Sequence, residues 1–220
     1  MERWATFDCY GTLIDWNAGI GAQLERVLGG SRDELLNRYH EVEPRVQSAR
    51  PGTSYREVMA AVLAEMAAEQ RVDLPESERD ALGRSLPEWP AFGDVRAGLE
   101  ECKRRGWKLA ALTNSDRDLI EASEKVIGVP FDALVVASDI GSYKPAHRHW
   151  EAFLERTGAD PAGQVHVAQS QFHDIVPAAE LGIPSIWINR LGEQPVQTPT
   201  RELADVSRLA DALDELVPGR

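Results

Sequence analysis

The 220-residue sequence contains only two cysteines, Cys9 and Cys102, and neither stands at a metal-ligand spacing. Two thiols cannot build a disulfide framework, so the composition points to a reducing compartment. No apolar run approaches the roughly 20 residues of a membrane-spanning helix. The first apolar run begins almost at Met1, which leaves no room for a secretion signal; a cytoplasmic location is the expectation. Positive charge is also scarce, with 24 Lys and Arg against 36 Asp and Glu, a net charge of -12. Nucleic acid and anionic membrane both require basic surface, so neither is expected as a partner. A small anionic substrate is still allowed, because a few local donors outweigh a distant negative field. The 43% hydrophobic content with mixed charges is that of a globular chain, long enough for one good-sized domain or a core with a smaller insertion.

Two zones differ in pattern. Residues 4–7 read as a buried strand, left by a turn at Gly11-Thr12. From about 15 to about 90 only helical periodicity is found. Ser31-Arg32-Asp33-Glu34 and Ser54-Tyr55-Arg56-Glu57 both fit a capping box, and Tyr55, Val58, Val62 and Met66 share one face after the second. The breakers in Leu86-Pro87-Glu88-Trp89-Pro90 end this zone. Beyond it, strand and helix alternate. Residues 94–105 read as an amphipathic helix, 108–112 as a strand, and Ser115 as the cap of the next helix. Residues 133–137, 165–168 and 185–188 read as further strands, with helices between the first two pairs. The segment 194–200 reads as loop. Such alternation implies a parallel sheet with helices on both faces, interrupted after its first strand by a helical lid over the mouth.

Parallel strands bring their carboxyl ends to one edge, where ligands of open α/β sheets bind. Four strand ends carry polar groups: Asp8; Thr113-Asn114-Ser115; Ser142-Tyr143-Lys144-Pro145; and Gln169-Ser170-Gln171-Phe172-His173-Asp174. Singly, an Asp after a strand is a cap or turn former and a Lys-Pro is a turn. As an ordered set they predict a carboxylate, a hydroxyl–amide pair, a lysine and a second carboxylate converging on one site.

This set, with the Asp8-Cys9-Tyr10-Gly11-Thr12-Leu13 start and the run from Pro90-Ala91-Phe92 to Lys108-Leu109-Ala110, resembles the haloacid dehalogenase superfamily and, within it, the L-2-haloacid dehalogenase (type II) group. The implied fold is α/β: a Rossmann-like doubly wound parallel sheet core, residues 1–14 and 91–220, with an inserted helical cap domain, residues 15–90. The implied chemistry begins with attack by the Asp8 carboxylate. Phosphatases of the superfamily carry a second Asp two residues on, where this chain has Tyr10, and a direct magnesium ligand where it has Ser170. A phenol with an ordinary pKa near 10 is a poor acid at neutral pH, and a neutral hydroxyl gives up most of the attraction for Mg²⁺. No metal and no cofactor are therefore expected.

The resemblance implies further roles. Lys144 holds Asp8 ionised and helps bind the substrate carboxylate; Asp174 is the base toward water, with His173 as its helper or as an orienting partner. Thr12 stands beside Asp8, as a motif hydroxyl or as a turn stabiliser. Arg38, thirty residues after Asp8, matches the cap arginine that receives the departing halide, with Arg45 a rival. Asn114 matches the other halide-side donor, and Thr113 a hydroxyl on the substrate carboxylate. Tyr10, Ser170, Gln171 and Trp150 complete the expected substrate surroundings; Gln169 to Gln171 and Trp150 depart from the family's Ser-Ser-Asn and tyrosine. The expected reaction is metal-independent hydrolysis of a small (S)-2-haloalkanoic acid to a 2-hydroxy acid and halide. The alternatives are a Mg²⁺-dependent small-molecule phosphatase and a carboxylate-binding member without turnover. Members of the family are often dimeric, so the resemblance also implies a homodimer.

Overall fold

The computed structural model describes residues 2–50 and 52–219. Six strands, β1 (Arg3–Phe7), β2 (Trp107–Thr113), β3 (Ala133–Val136), β4 (Gln164–Ala168), β5 (Ser185–Ile188) and β6 (Arg201–Leu203), pair in parallel in the order β3-β2-β1-β4-β5-β6. The chain winds outward from β1 in both directions, so the strand order reverses between β1 and β4. A crevice opens at that reversal, beyond the carboxyl ends of these two strands.

The pleat sorts the apolar residues onto two faces. Ala5, Phe7, Leu109 and Ala111 pack with the buried sides of α5 (Val95–Arg104), α6 (Arg117–Ile127) and α10 (Leu209–Leu216). Trp4, Ala110 and Leu112 face the other way, against Trp150 and Phe153 of α8 (Arg148–Thr157), with the short α7 (Ala137–Ile140) before it in the chain and α9 (Val176–Glu180) after it. Both faces being covered explains why the strands read as nearly continuous apolar runs. Strand β6 had no such run, and its exposed, charged sequence Arg201-Glu202-Leu203 fits an edge strand.

Among the described residues between 16 and 88 there is no strand. That stretch holds α1 (Trp16–Leu28), α2 (Arg32–Ala49), α3 (Tyr55–Gln70) and the short α4 (Ala81–Ser85). Its two connections to the sheet run side by side: the Asp15 N–H donates to the Pro90 carbonyl at 2.8 Å and the Phe92 N–H to the Leu13 carbonyl at 3.1 Å. The box at Ser54 forms as expected, with the Ser54 hydroxyl and Glu57 satisfying each other's backbone. Ser31 makes no side-chain cap. Ser115 does not cap α6 either; Asp116 holds that position and its carboxylate is used elsewhere. It accepts from the backbone N–H groups of Tyr55 at 2.9 Å and Arg56 at 3.0 Å. An acid from the sheet side thus neutralises the positive end of α3, a helix of the inserted zone. The Tyr143 hydroxyl donating to the Thr53 carbonyl at 2.6 Å adds a second tie.

Candidate active site

Asp8 continues β1 by one residue, its N–H donating to the Val167 carbonyl of β4 at 3.1 Å. The chain then turns sharply. Gly11 adopts φ +89°, a conformation that suits glycine, and a Cβ there would lie 3.4 Å from the Gln169 side chain. The turn places the Thr12 hydroxyl 2.8 Å from Asp8 Oδ2, to which it donates, while accepting from the Gln169 N–H. Opposite, Gln171–Ile175 forms a single π-helical turn in which the Ile175 N–H reaches back to the Ser170 carbonyl. Such turns re-aim a side chain at functional sites; here Asp174 is completely buried beneath the crevice.

Lys144 joins the two acids. Its ammonium donates to Asp8 Oδ1 at 3.0 Å and to Asp174 Oδ1 at 2.7 Å, with all three side chains buried. Burial alone would drive the lysine to lose its proton and the aspartates to gain one. For Lys144 that cost is outweighed by the charges of Asp174 and Asp8, and its pKa rises. For Asp174 it is outweighed by the Lys144 ammonium and by His166, so the carboxyl titrates well below its ordinary range. Lys144 and Asp174 are therefore both charged at neutral pH.

His166 sits in the middle of β4, fully buried, with Nε2 2.9 Å from Asp174 Oδ1 and Nδ1 2.9 Å from the Thr6 hydroxyl. Sequence reasoning passed over it as a strand position; the available signal was a polar ring in an otherwise apolar Val165-His166-Val167. The remaining oxygen, Asp174 Oδ2, is buried and has no partner.

The other expected residues divide into three groups. Thr113, Ser170, Gln171 and His173 line the cavity above this cluster. The Thr113 hydroxyl and the Gln171 amide nitrogen are buried and unpartnered. The Ser170 hydroxyl caps the π-turn by accepting from the His173 N–H, and lies 3.1 Å from His173 Nδ1. Burial keeps His173 neutral by lowering its pKa. Tyr10 and Asn114 also line the cavity, but their polar ends are occupied. The Tyr10 hydroxyl bonds Ser123 at 3.0 Å, and burial pushes the phenol far up. The Asn114 amide clasps the backbone of Lys144 at both its N–H and its carbonyl, which makes it a brace for Lys144 rather than a free donor.

Arg38 and Trp150 are corrections. The Arg38 guanidinium is exposed on α2, bound to Glu69 and Glu41, and does not reach the cavity. The rival Arg45 is likewise exposed and pairs with Glu65. Both side chains lie on the solvent side of α2, whose cavity wall is made by His40, Glu43 and Gln47 instead. Trp150 lies on the opposite side of its helix from solvent, within the core against Trp4 and Phe153, and its ring packs edge-on to His166 at 5.2 Å. It supports the cluster from below and does not line this cavity.

Residues 3–182 match the family model of haloacid dehalogenase-like hydrolases. The chain belongs to that family. It is 27% identical to the (S)-2-haloacid dehalogenase of Pseudomonas sp. strain YL, over 94% of this chain and 93% of that protein. It is 29% identical to a phosphoserine phosphatase of Thermus thermophilus, over 67% of this chain and 63% of that one. Among solved structures it superposes on the L-2-haloacid dehalogenase of Xanthobacter autotrophicus with a TM-score of 0.86 at 18% identity, covering 97% and 98% of the two chains.

Relatives with both kinds of name make the fit of a magnesium ion a real question for this haloacid dehalogenase-like hydrolase. Both Asp8 oxygens already accept hydrogen bonds, and Asp174 Oδ1 accepts two, leaving Oδ2 alone without a partner. Among the described residues no three His, Cys, Asp or Glu side chains are grouped to hold a metal. Mg²⁺ requires near-octahedral oxygen ligation, and the Lys144 ammonium between the carboxylates would repel it. The donor set does not fit the ion.

Proposed function

We propose that the protein is a metal-independent hydrolase that displaces a halide from the α-carbon of a small (S)-2-haloalkanoic acid, with Asp8 as nucleophile and residues 15–90 as a cap. The observation that carries this reading is the Lys144 bridge. An ammonium 3.0 Å from Asp8 gives the buried nucleophile a charged hydrogen-bond partner, without which burying a carboxylate there would be costly. Lys144 and Thr12 each take one Asp8 oxygen and fix the carboxylate's orientation.

An Asp8 oxygen attacks the substrate carbon from the side opposite the carbon–halogen bond. The bonding pair departs with the halide, the carbon inverts, and an ester joins it to Asp8. A halide needs no proton, so the lack of an acid at Tyr10 costs this step nothing. Water then gives a proton to Asp174 Oδ2 and its oxygen attacks the Asp8 carbonyl carbon. Collapse of that adduct releases the 2-hydroxy acid, whose oxygen takes the proton back from Asp174 and whose hydroxyl oxygen came from Asp8; the other water proton, left on the Asp8 carboxyl, passes to solvent and restores the carboxylate. His166 and Lys144 hold Asp174 Oδ1, leaving Oδ2 for the water.

Halide release from (S)-2-chloropropionate should continue undiminished in excess chelator, while a chromogenic phosphate ester with Mg²⁺ should give no phosphate. Phosphate release abolished by chelator, without halide release, would replace this reading by the phosphatase. Neither product, with carboxylate binding retained, would leave a binding protein.

A further inference from the structure

We propose that the cap-side half of the cavity is a subsite for a protonated amine carried by the substrate, with the Glu43 carboxylate as its counter-ion. The inference rests on the reading of this cavity as the substrate site and extends it to the substrate's far end.

The cavity measures about 720 Å³, within the roughly 300–1,000 Å³ of clefts that take drug-sized ligands. A three-carbon acid held at Asp8 leaves much of it open. The open part is walled by Trp16 of α1, His40, Glu43 and Gln47 of α2, and Tyr55 of α3. No lysine or arginine comes from these helices to the wall. The two cations that line the cavity belong to the sheet side and are committed: Lys144 to Asp8 and Asp174, Arg190 to Asp94 at 2.9 Å and to the face of Phe92.

The acids are unequal in the same way. Asp15 caps α1 through the Ala18 N–H, and Glu193 accepts from the Gln169 amide. Glu43 is half-buried at the cavity wall and accepts from the Tyr55 hydroxyl at 2.9 Å and, more weakly, from the Tyr39 hydroxyl at 3.5 Å. It has no cationic partner among the described residues. Around it stand aromatic faces, with the Trp16 indole 4.9 Å from the His40 ring and its N–H 3.4 Å from the Tyr55 hydroxyl. A carboxylate that lacks a counter-ion, set among electron-rich rings, attracts an ammonium by charge and by cation–π contact. It repels an anion, the opposite of what an arginine there would do.

Glu43 also makes the preference pH-dependent. Burial, opposed by the tyrosine hydrogen bonds, pushes its pKa up to about 7. The groups facing it stay neutral through that range: burial raises Tyr39, Tyr55 and Tyr143 and lowers His40. The carboxylate, and with it the attraction for an amine, should therefore gain as pH rises through about 7.

The test is calorimetric binding to the wild-type protein of 2-hydroxy acids of increasing chain length, each with and without a terminal amine. At least one amine-bearing member should bind about tenfold or more tightly than its uncharged counterpart, a difference of about 1.4 kcal/mol. The preference should shrink below pH 7 and fall to about one in Glu43→Gln, which still offers an oxygen to Tyr55. Equal or weaker binding of every amine-bearing member, or a preference untouched by both acid pH and Glu43→Gln, would overturn the subsite. Because binding is read directly, the amine preference can stand without halide release, and halide release can stand without the preference.

Discussion

Asp8→Asn should lower halide release by at least about ten-thousand-fold, the scale on which removal of a nucleophile acts. The amide keeps the size of the acid and can still accept from Thr12, so the fold and substrate binding should persist. Lys144 keeps Asp174 as its partner in the variant, so no buried ammonium is stranded. The prediction is specific to chemistry: turnover collapses, while thermal unfolding and binding of a 2-hydroxy acid product change little. Loss of folding together with activity would make Asp8 a structural residue.

Lys144→Ala should be nearly as damaging to activity and should also destabilise the protein. Two buried carboxylates lose the ammonium between them, and stranding a buried charge costs about 3–5 kcal/mol. The sign of the pH effect follows from Asp174. In the wild type its folded pKa is depressed, so it contributes stability above the unfolded Asp value near 3.9, lost as pH falls through the lower folded value. Without Lys144, only His166 opposes the burial of Asp174, and the folded pKa is expected to climb above the unfolded one. The folded variant then binds protons more tightly than the unfolded chain, and stability falls as pH rises from about 4 toward neutrality. Denaturant titrations should show a larger deficit at pH 7 than at pH 4. A deficit independent of pH would show that the lysine acts by packing.

The sheet could be read from the sequence because parallel strands buried on both sides announce themselves as apolar runs. Edge strand β6 could not, since Arg201-Glu202-Leu203 pairs on one side only and needs no apolar face. Asp8, Lys144 and Asp174 were legible because strand ends sharing an edge converge whatever the details of packing. Arg38 was not, because spacing from Asp8 along the chain says nothing about which way a helix is rotated. Five residues along α2, a net rotation of about 140°, separate Arg38 in solvent from Glu43 at the cavity. Trp150 failed for the same reason, and Asn114 because an amide can brace a loop as readily as it can meet a ligand. His166 was hidden by its strand: a single buried ring gains its meaning only from Asp174, eight residues on and brought back by the π-turn.

The central claim is that Asp8 becomes alkylated and that water then attacks its carbonyl. The direct measurement is turnover of (S)-2-chloropropionate in heavy-oxygen water with enzyme in excess, followed by mass spectrometry of the product and of the peptide holding Asp8. A single turnover should give unlabelled 2-hydroxypropionate and place the heavy oxygen in the Asp8 carboxylate. Label in the product of that first turnover, with none in the Asp8 peptide, would mean that water attacks the substrate directly and would contradict the account.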